Sequence, residues 1–260
     1  MYPVLFEVFG LIVPSWHFFF MLAAFAAMLC FKYLQQKYAP WVLENKSSNF
    51  IIIVYVSSYL GSRLYSIYVD ERISDFREVA HALFSLGPMT LYGGVLLSGV
   101  SALVYLWHRN EDLPRVLDLL VPSVLIGIAI GRIGCFLNGD DYGVVIEKGS
   151  MWSVFAVRFT NHASEEYRLA VQLIESVICI LIAFYCLRII KYSKLRGAGR
   201  SGMIGICIYS VARFFLDFVR ADSSALGVGY WLSVTQAISI CLILCSVLML
   251  VRKHMSTHYN

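Results

Sequence analysis

Long uninterrupted apolar segments are the feature that most restricts the fold of this chain. A helix of about 20 apolar residues spans a hydrocarbon core of roughly 30 Å, and its backbone groups bond within the segment. The segments are continuous and lack the alternation expected of barrel strands. The sequence therefore predicts an all-α integral membrane protein. We expect seven transmembrane helices, near residues 16–34, 50–69, 90–107, 117–137, 169–189, 203–219 and 230–251.

Composition and charge agree with a membrane protein. Hydrophobic residues make up 59% of the 260 residues and charged residues 15%, whereas soluble domains are about half apolar and a quarter charged. The connections that would share a side with the C-terminus hold twelve lysines and arginines, and those on the other side hold six. The positive-inside rule then places the C-terminus in the cytoplasm and the N-terminus outside. We expect one membrane domain over 1–260, with the longest connection, 138–168, outside.

The net charge of +4 follows from these cytoplasmic connections and does not indicate nucleic acid binding. All seven cysteines lie in or beside apolar segments, without a Cys-x-x-Cys pair or a Cys/His metal spacing. The glycines form no nucleotide-binding loop. The sequence thus predicts no disulfide, no metal and no cofactor.

Three arginines fall inside predicted spans: Arg63, Arg132 and Arg213. A charge at the bilayer centre costs about 2.5 to 3.5 kcal/mol on insertion scales, so it normally faces a partner, a cavity or a substrate. For Arg63, a pairing inside the helix bundle and a functional role both remain open.

Arg213, Asp217 and Arg220 lie at i, i+4 and i+7, on one face of a helix. One interpretation is an Arg213–Asp217 pair that only neutralises charge. The other is that the carboxylate orients a guanidinium toward an anion, because guanidinium forks bind phosphate well. We take this face as a candidate phosphate clamp.

The residues from 127 to 143 combine two kinds of glycine. Gly127, Gly131 and Gly134 form a small-residue face that lets two helices approach closely. The turn from Asn138 to Gly143 instead breaks the helix and leaves polar groups at the outer edge of the membrane. Irregular polar backbone at that depth requires a cavity.

Four elements of the sequence resemble one family. Gly-Arg-Ile-Gly-x-Phe-Leu-Asn-Gly-x-x-Tyr-Gly at 131–143 closely resembles the signature of bacterial prolipoprotein diacylglyceryl transferases. The segments 92–96, 172–175 and 209–220 resemble the family's His-Gly-Gly-Leu-Ile, Gln-Leu-Tyr-Glu and Tyr-x-x-x-Arg-x-x-x-Glu-x-x-Arg elements, in the same order. Seven helices with the N-terminus outside also match that family.

The resemblance implies a transferase of the bacterial cytoplasmic (inner) membrane. Phosphatidylglycerol would donate its diacylglyceryl group to the lipobox cysteine in the signal peptide of a prolipoprotein, forming a thioether and releasing glycerol phosphate. Membrane lipids would surround the protein. The family also has a small extracytoplasmic head, which we expect near residues 138–168.

The same resemblance assigns roles to individual residues. Negative charge grows on the leaving phosphate, so Arg132 and Arg213 are the candidate catalytic residues that stabilise it. The candidate substrate-binding residues are Gly93, Gly94, Asn138, Gly139, Asp140, Gly143, Glu175, Asp217 and Arg220.

Three positions depart from the family pattern. Tyr92 replaces the histidine before Gly-Gly, His17 stands where a tyrosine follows a tryptophan, and Cys135 replaces an asparagine. One hypothesis is that His17 and Tyr92 exchange these roles and are both catalytic. The alternative for both is interfacial anchoring. Cys135 is interpreted as a small packing residue, with a covalent intermediate as the alternative.

Other functions remain open at this point. A divergent paralogue would keep the lipid donor and use another acceptor, and a non-catalytic descendant would only bind lipid. An anion transporter lined by Arg63, Arg132 and Arg213 is a further alternative, although the sequence lacks the pair of broken helices in inverted halves typical of transporters.

Overall fold

The computed structural model describes residues 2, 4–8, 11–70, 73, 75–84, 91–147, 149–159, 166–193, 199–221, 227–228 and 232–258. The chain divides into two compact units, of which the first comprises Met1–Tyr38 with Leu117–Asn260 and the second Ala39–Val116. The described residues are mainly helical, which confirms the predicted helical membrane architecture at this level.

Eight α-helices and three antiparallel two-stranded sheets make up the described secondary structure. The helices are α1 Ser15–Tyr38, α2 Ser47–Tyr65, α3 Phe76–Phe84, α4 Leu91–His108, α5 Leu113–Asn138, α6 Val171–Ser193, α7 Arg200–Asp217 and α8 Val234–His258. A π-helical turn, Ser66–Asp70, follows α2, and a 3-10 turn, Met151–Phe155, precedes β3. The strand pairs are β1 Val4–Val8 with β2 Leu11–Pro14, β3 Ala156–Phe159 with β4 Glu166–Leu169, and β5 Gly227–Val228 with β6 Leu232–Ser233.

Five described helical segments are long and apolar enough to cross a membrane. The two other predicted segments also contain helices, α4 and α7. The described apolar part of α4, Gly93–His108, is shorter than a full span. The 18 residues of α7 include charged Arg200, Arg213 and Asp217, which lower its hydropathy. The five segments are Ser15–Tyr38, Ser47–Tyr68, Leu113–Asn138, Val171–Ser193 and Val234–Arg252.

The core of the first unit lies between α5, α6 and α7. Leu125 and Ala129 of α5 pack there against Cys179 and Cys186 of α6. Serine hydroxyls add bonds between the helices: Ser176 Oγ donates to the carbonyl of Ala129 at 2.8 Å. These contacts fix the three helices that carry Arg132, Glu175 and Arg213.

Small residues let α1 pack closely on α5; the sequence predicts such a close approach at these glycines, and the structure identifies α1 as the partner helix. A Cβ at Gly127 would lie 3.2 Å from the carbonyl oxygen of Ala23, and one at Gly134 would lie 2.5 Å from the Cβ of Phe19. Gly131 is less crowded, because a Cβ there would lie 3.9 Å from the Cβ of Ala23. The packing interpretation is confirmed most clearly for Gly127 and Gly134.

A buried carboxylate from α5 caps the start of α7. Asp118 accepts hydrogen bonds from the backbone N–H groups of Gly199 at 2.6 Å and Gly202 at 2.8 Å. The first N–H groups of a helix lack partners within the helix, so this carboxylate satisfies two of them. Gly202 is required for the close approach, because its Cβ would lie 2.7 Å from the backbone of Leu117.

The second unit is built on a close contact between α2 and α4. A Cβ at Gly61 would lie 2.3 Å from the carbonyl oxygen of Gly93, and a Cβ at Gly93 would lie 2.2 Å from that of Gly61. Gly94 is equally constrained by Ser62 Oγ at 2.2 Å. The structure therefore gives Gly93 and Gly94, which the sequence places among the substrate-binding residues, a clear packing role within this unit.

Arg63 is the other notable side chain of the second unit. It is 1% exposed, and its Nε donates to the carbonyl oxygen of Ala82 in α3 at 2.9 Å. This bond supports the interpretation in which Arg63 finds its partner inside the bundle, where it links α2 to α3.

The α2–α4 contact predicts that alanine substitutions at two glycines have opposite effects on stability. Gly61→Ala forces the two helices apart, and we expect it to lower the free energy of unfolding by about 1 to 3 kcal/mol. Gly99→Ala in α4 is the matched control, because a Cβ there meets no heavy atom within 4 Å. The control gains up to about 1 kcal/mol of helix propensity. Unfolding of the purified protein in mixed micelles measures both, and equal stability of the variants would contradict this packing.

Candidate active site

Glu175 is the centre of a buried ion-pair network in the first unit. This α6 residue is 1% exposed, and its Oε2 forms ion pairs with Arg132 Nε of α5 and Arg213 Nη1 of α7, each at 2.9 Å. Its other oxygen, Oε1, accepts from the hydroxyl of Tyr209 at 2.9 Å. One carboxylate of α6 thus holds a guanidinium from α5 and a guanidinium and a phenol from α7.

Asp141 extends this network to a third arginine. Its Oδ2 accepts from Arg132 Nη1 and its Oδ1 from Arg220 Nη2, both at 2.6 Å. Burial alone would raise the pKa of the Asp141 carboxyl, but the charges of Arg132 and Arg220 outweigh burial and hold it below its usual value. Asp141 is therefore a carboxylate at neutral pH, and it joins the C-terminal end of α5 to the segment after α7.

Backbone pairing fixes the turn that carries Asp141. Val144 N–H donates to Val219 C=O at 2.9 Å, and Ala221 N–H donates to Tyr142 C=O at 3.2 Å. On the other side, Gly143 N–H donates to Leu169 C=O at 3.0 Å. The segment thus lies between β4 and the residues after α7, which positions Asp141 beside Arg220.

Two glycines are needed in this turn. Gly139 has a φ of +88°, a conformation that favours glycine. A Cβ at Gly143 would lie 2.6 Å from Val171 Cγ2. Both candidate substrate-binding glycines therefore have a conformational or steric role in the described structure.

The rest of the turn is tethered to α6. The Asn138 side chain donates to the Asp140 carboxylate, and Gln172 Nε2 donates to the Asp140 backbone carbonyl. The Oε1 atom of Gln172 is buried without a hydrogen-bond partner among the described residues. Gln172 and Tyr209 are not among the site residues predicted from the sequence, although both lie in segments that resemble family elements.

The network carries a net positive charge. Three guanidiniums, from Arg132, Arg213 and Arg220, share two carboxylates, from Glu175 and Asp141, which leaves one positive charge. The Arg132 and Arg213 side chains are each only 11% exposed. Each guanidinium has five N–H donors, and the ion pairs use two from Arg132 and one from Arg213, so both retain donors for a bound anion.

The interpretation in which Arg213 pairs with Asp217 is wrong. Arg213 pairs instead with Glu175, while the Asp217 carboxylate accepts a hydrogen bond from Ser233 Oγ. Ser233 and Gln236 also form a capping box at the start of α8, with reciprocal bonds of 3.0 Å. Asp217 therefore joins α7 to α8. The sequence signal for the true partner is a lone carboxylate, Glu175, inside an apolar segment.

His17 and Tyr92 belong to different units. Both ring nitrogens of His17, in α1, are buried without a hydrogen-bond partner in the described part of the chain, and the ring lies edge-on to Trp16 at 4.7 Å. The side chain of Tyr92 lies outside the described part of the structure. The exchange of roles between these two residues therefore remains a hypothesis.

Cys135 lies three residues after Arg132 on α5, with its side chain partly buried. Its carbonyl oxygen accepts from the N–H groups of Gly139 and Asp140 at 2.9 and 3.1 Å, which ends the helix. The backbone of Cys135 thus helps to form the turn, and a packing role for its thiol stays a prediction.

The fold and the site define a helical integral membrane protein with a buried, net cationic site suited to an anion. The family described as prolipoprotein diacylglyceryl transferase matches residues 3–252. The chain belongs to this family, which confirms the resemblance noted in the sequence.

Curated relatives agree with this membership. A phosphatidylglycerol–prolipoprotein diacylglyceryl transferase of Clostridium tetani is 32% identical over 253 residues, covering 95% of this chain and 96% of that protein. A protein of the same name from Clostridium botulinum strain Langeland is 30% identical over 203 residues, covering 76% and 77%. One from Streptococcus uberis is 28% identical over 223 residues, covering 84% of each chain.

The network predicts a large stability effect at Glu175. Glu175→Gln removes the negative charge that two buried guanidiniums share. Breaking a buried pair in this way lowers the free energy of unfolding by about 3 to 5 kcal/mol. Glu166→Gln is the matched control, because Glu166 pairs with Arg168 at 2.6 Å but is 32% exposed. We expect the control to cost less than about 1 kcal/mol. Unfolding free energies measure the difference, and equal losses would show that the Glu175 network is not a buried pair.

Proposed function

We propose that this protein transfers the diacylglyceryl group of phosphatidylglycerol to a cysteine thiol of a prolipoprotein. The observation that carries the proposal is the pair of guanidiniums, Arg132 and Arg213, held by Glu175 in a buried, net cationic cluster. Family membership and the names of the relatives supply the reaction. The chain is accordingly a membrane transferase.

At the glycerol carbon, the reaction forms one bond and breaks one. The cysteine sulfur bonds to the glycerol carbon of the diacylglyceryl group, and the bond from that carbon to the phosphate oxygen breaks. The thiol proton passes to a proton acceptor in the site, and glycerol phosphate leaves with the bonding electron pair. The acceptor is proposed to be the lipobox cysteine of a signal peptide, so no cysteine of this chain acts as the nucleophile.

The cationic cluster suits the charge changes of this reaction. A phosphodiester carries one negative charge, which balances the single excess positive charge of the cluster. The second negative charge appears on the phosphate as its bond to carbon breaks. Donors that are already oriented in a poorly hydrated site stabilise such a growing charge most strongly. Arg132 and Arg213 are therefore the proposed catalytic residues.

Thiol activation requires a proton acceptor, because a free cysteine has a pKa near 8.5 and reacts as the thiolate. His17 is the proposed candidate, together with Tyr92. Its support is the pair of buried ring nitrogens that have no hydrogen-bond partner among the described residues. A neutral imidazole keeps a lone pair on one ring nitrogen, which can accept a proton.

We propose supporting roles for the other residues of the site. Arg220 and Asp141 complete the cationic cluster, and Asp217 fixes the end of α7 against Ser233. The turn that binds the glycerol phosphate part is proposed to comprise Asn138, Gly139, Asp140 and Gly143. Gly93 and Gly94 are proposed to act indirectly, because their close packing shapes the second unit.

The proposed membrane arrangement has seven spans in one membrane domain over 1–260. Helices α4 and α7 lie at the two predicted segments that complete the five long spans. The excess of lysine and arginine supports a cytoplasmic C-terminus in the bacterial inner membrane and an external connection at 138–168. The β3–β4 hairpin and the 3-10 turn within that connection support a small extracytoplasmic head.

A transfer assay tests the proposed function. Purified protein is incubated with labelled phosphatidylglycerol and a lipobox peptide, and thioether-linked product and glycerol phosphate are measured. Arg132→Gln and Arg213→Gln should each lower the rate about 100- to 1,000-fold, as does loss of one oriented donor in other enzymes. Arg115→Gln is the control, since Arg115 forms an exposed pair with Asp112 at 3.1 Å.

The outcomes of this assay separate three functions. Normal rates in both arginine variants would refute the catalytic role of the cluster. Absence of transfer by the unaltered protein, with lipid still bound, would favour a non-catalytic lipid-binding protein. Transfer to another thiol but not to the lipobox peptide would indicate a paralogue with a different acceptor.

A histidine variant tests the proposed proton acceptor. His17→Phe keeps an aromatic ring beside Trp16 but removes both nitrogens, so we expect the rate to fall at least about 100-fold, the lower range for a general base. Rate against pH is the second measurement, because loss of a proton acceptor removes an inflection from the profile. An unchanged rate and profile would leave His17 with interfacial anchoring alone.

A further inference from the structure

A second group of arginines lies at the other end of α6 and α7 from the Glu175 network. Arg188 of α6 and Arg200 of α7 line a cleft of about 370 Å³, together with Tyr185, Tyr192 and Ser193. We refer to it as the α6–α7 cleft. Its polar lining is thus two guanidiniums, two phenols and one hydroxyl.

The cleft is separate from the candidate active site. Arg188 follows Glu175 by thirteen positions along α6, and Arg200 precedes Arg213 by thirteen positions along α7. At 1.5 Å per residue, each interval is about 20 Å. A ligand in the cleft therefore cannot also contact the network around Glu175 through a small head group.

The two arginines of the cleft have no carboxylate partner in the described part of the chain. The sequence from 188 to 200 contains five lysines and arginines and no acidic residue. Asp118, which reaches the start of α7, is engaged by the N–H groups of Gly199 and Gly202. Two guanidiniums that line one cleft repel each other unless an anion lies between them.

The position of the cleft indicates which kind of anion is available to bind there. Arg188 and Tyr192 lie in the last turns of α6, which is a candidate membrane span ending at Ser193. Such a helix end lies at the interface, where the phosphates of phospholipids are concentrated. Exposed tyrosines are typical of that level, and Tyr185 and Tyr192 are both exposed. Arg188 also lies over the ring of Phe184, 5.3 Å from its centre.

The apolar surface beside the cleft suits acyl chains. Leu181 and Phe184, which lie two turns and one turn before Arg188 on α6, are 61% and 58% exposed. Basic pockets between membrane helices bind anionic head groups, and guanidinium forks match phosphate oxygens. We propose that the α6–α7 cleft binds the phosphate of an anionic membrane phospholipid, with its acyl chains along α6.

Native mass spectrometry of the full chain in mild detergent tests this site. The probe is phosphatidylserine, which is anionic but lacks the glycerol head group of the proposed donor, and phosphatidylcholine is the zwitterionic comparison. The variant R188Q/R200Q should bind phosphatidylserine about 30-fold more weakly, as expected for the loss of two basic contacts near a membrane surface. Phosphatidylcholine binding should not change.

Lys191→Gln is the matched control, because Lys191 is exposed on the same part of α6 but does not line the cleft. Equal weakening by this control would overturn the proposal, since it would show a diffuse charge effect. Unchanged phosphatidylserine binding in R188Q/R200Q would overturn it as well. Displacement of phosphatidylserine by millimolar inorganic phosphate or glycerol 3-phosphate would also overturn it, by showing a site for free phosphate.

The transfer assay distinguishes this site from the active site. With saturating phosphatidylglycerol, R188Q/R200Q should keep its transfer rate and thus report that the variant is folded. Arg132→Gln should lose transfer and still bind phosphatidylserine at the cleft. Loss of cleft binding in Arg132→Gln would overturn the separation of the two sites.

Discussion

Burial of the Glu175 carboxylate is the constraint on which the arrangement of α5, α6 and α7 depends. A carboxylate that is 1% exposed is stable only if cations and donors replace its lost hydration. Arg132, Arg213 and Tyr209 supply them from α5 and α7, and each contact requires the helices to approach to within 2.9 Å between polar atoms. Stability and site geometry therefore depend on the same four side chains.

The carboxylates of this network do not fully neutralise its arginines, and the remaining positive charge allows the site to attract an anion. If Asp217 had paired with Arg213, the three arginines would have met three carboxylates, and the site would have little attraction for an anion. Ser233 binds Asp217 instead, which keeps that carboxylate at the start of α8. The remaining positive charge is buried among fixed partners, so a phosphate group meets oriented donors without reorganising water.

The sequence predicts features that depend on local pattern. Apolar segments place the helices, and Gly127 and Gly134 indicate a close helix contact, for which the structure supplies α1 as the partner. Prediction from the sequence fails where the interacting residues are distant along the chain. Arg213 and Asp217 are neighbours on one helix, but the preferred carboxylate, Glu175, is 38 residues away. The backbone pairing of Val144 with Val219 is equally non-local, and no helical or strand period contains that information.

The arginines at the two ends of the α6–α7 pair differ in whether a carboxylate holds them in place, and this difference determines the role that each pair can have. At one end, Glu175 fixes Arg132 and Arg213 before any ligand arrives, so their donors can be oriented toward charge that appears only during a reaction. At the other end, Arg188 and Arg200 are exposed and have no described carboxylate partner, so a bound anion must itself order them. Ordering long side chains costs conformational entropy. The second arrangement therefore suits a lipid that is already concentrated at the interface, whereas the first suits catalysis.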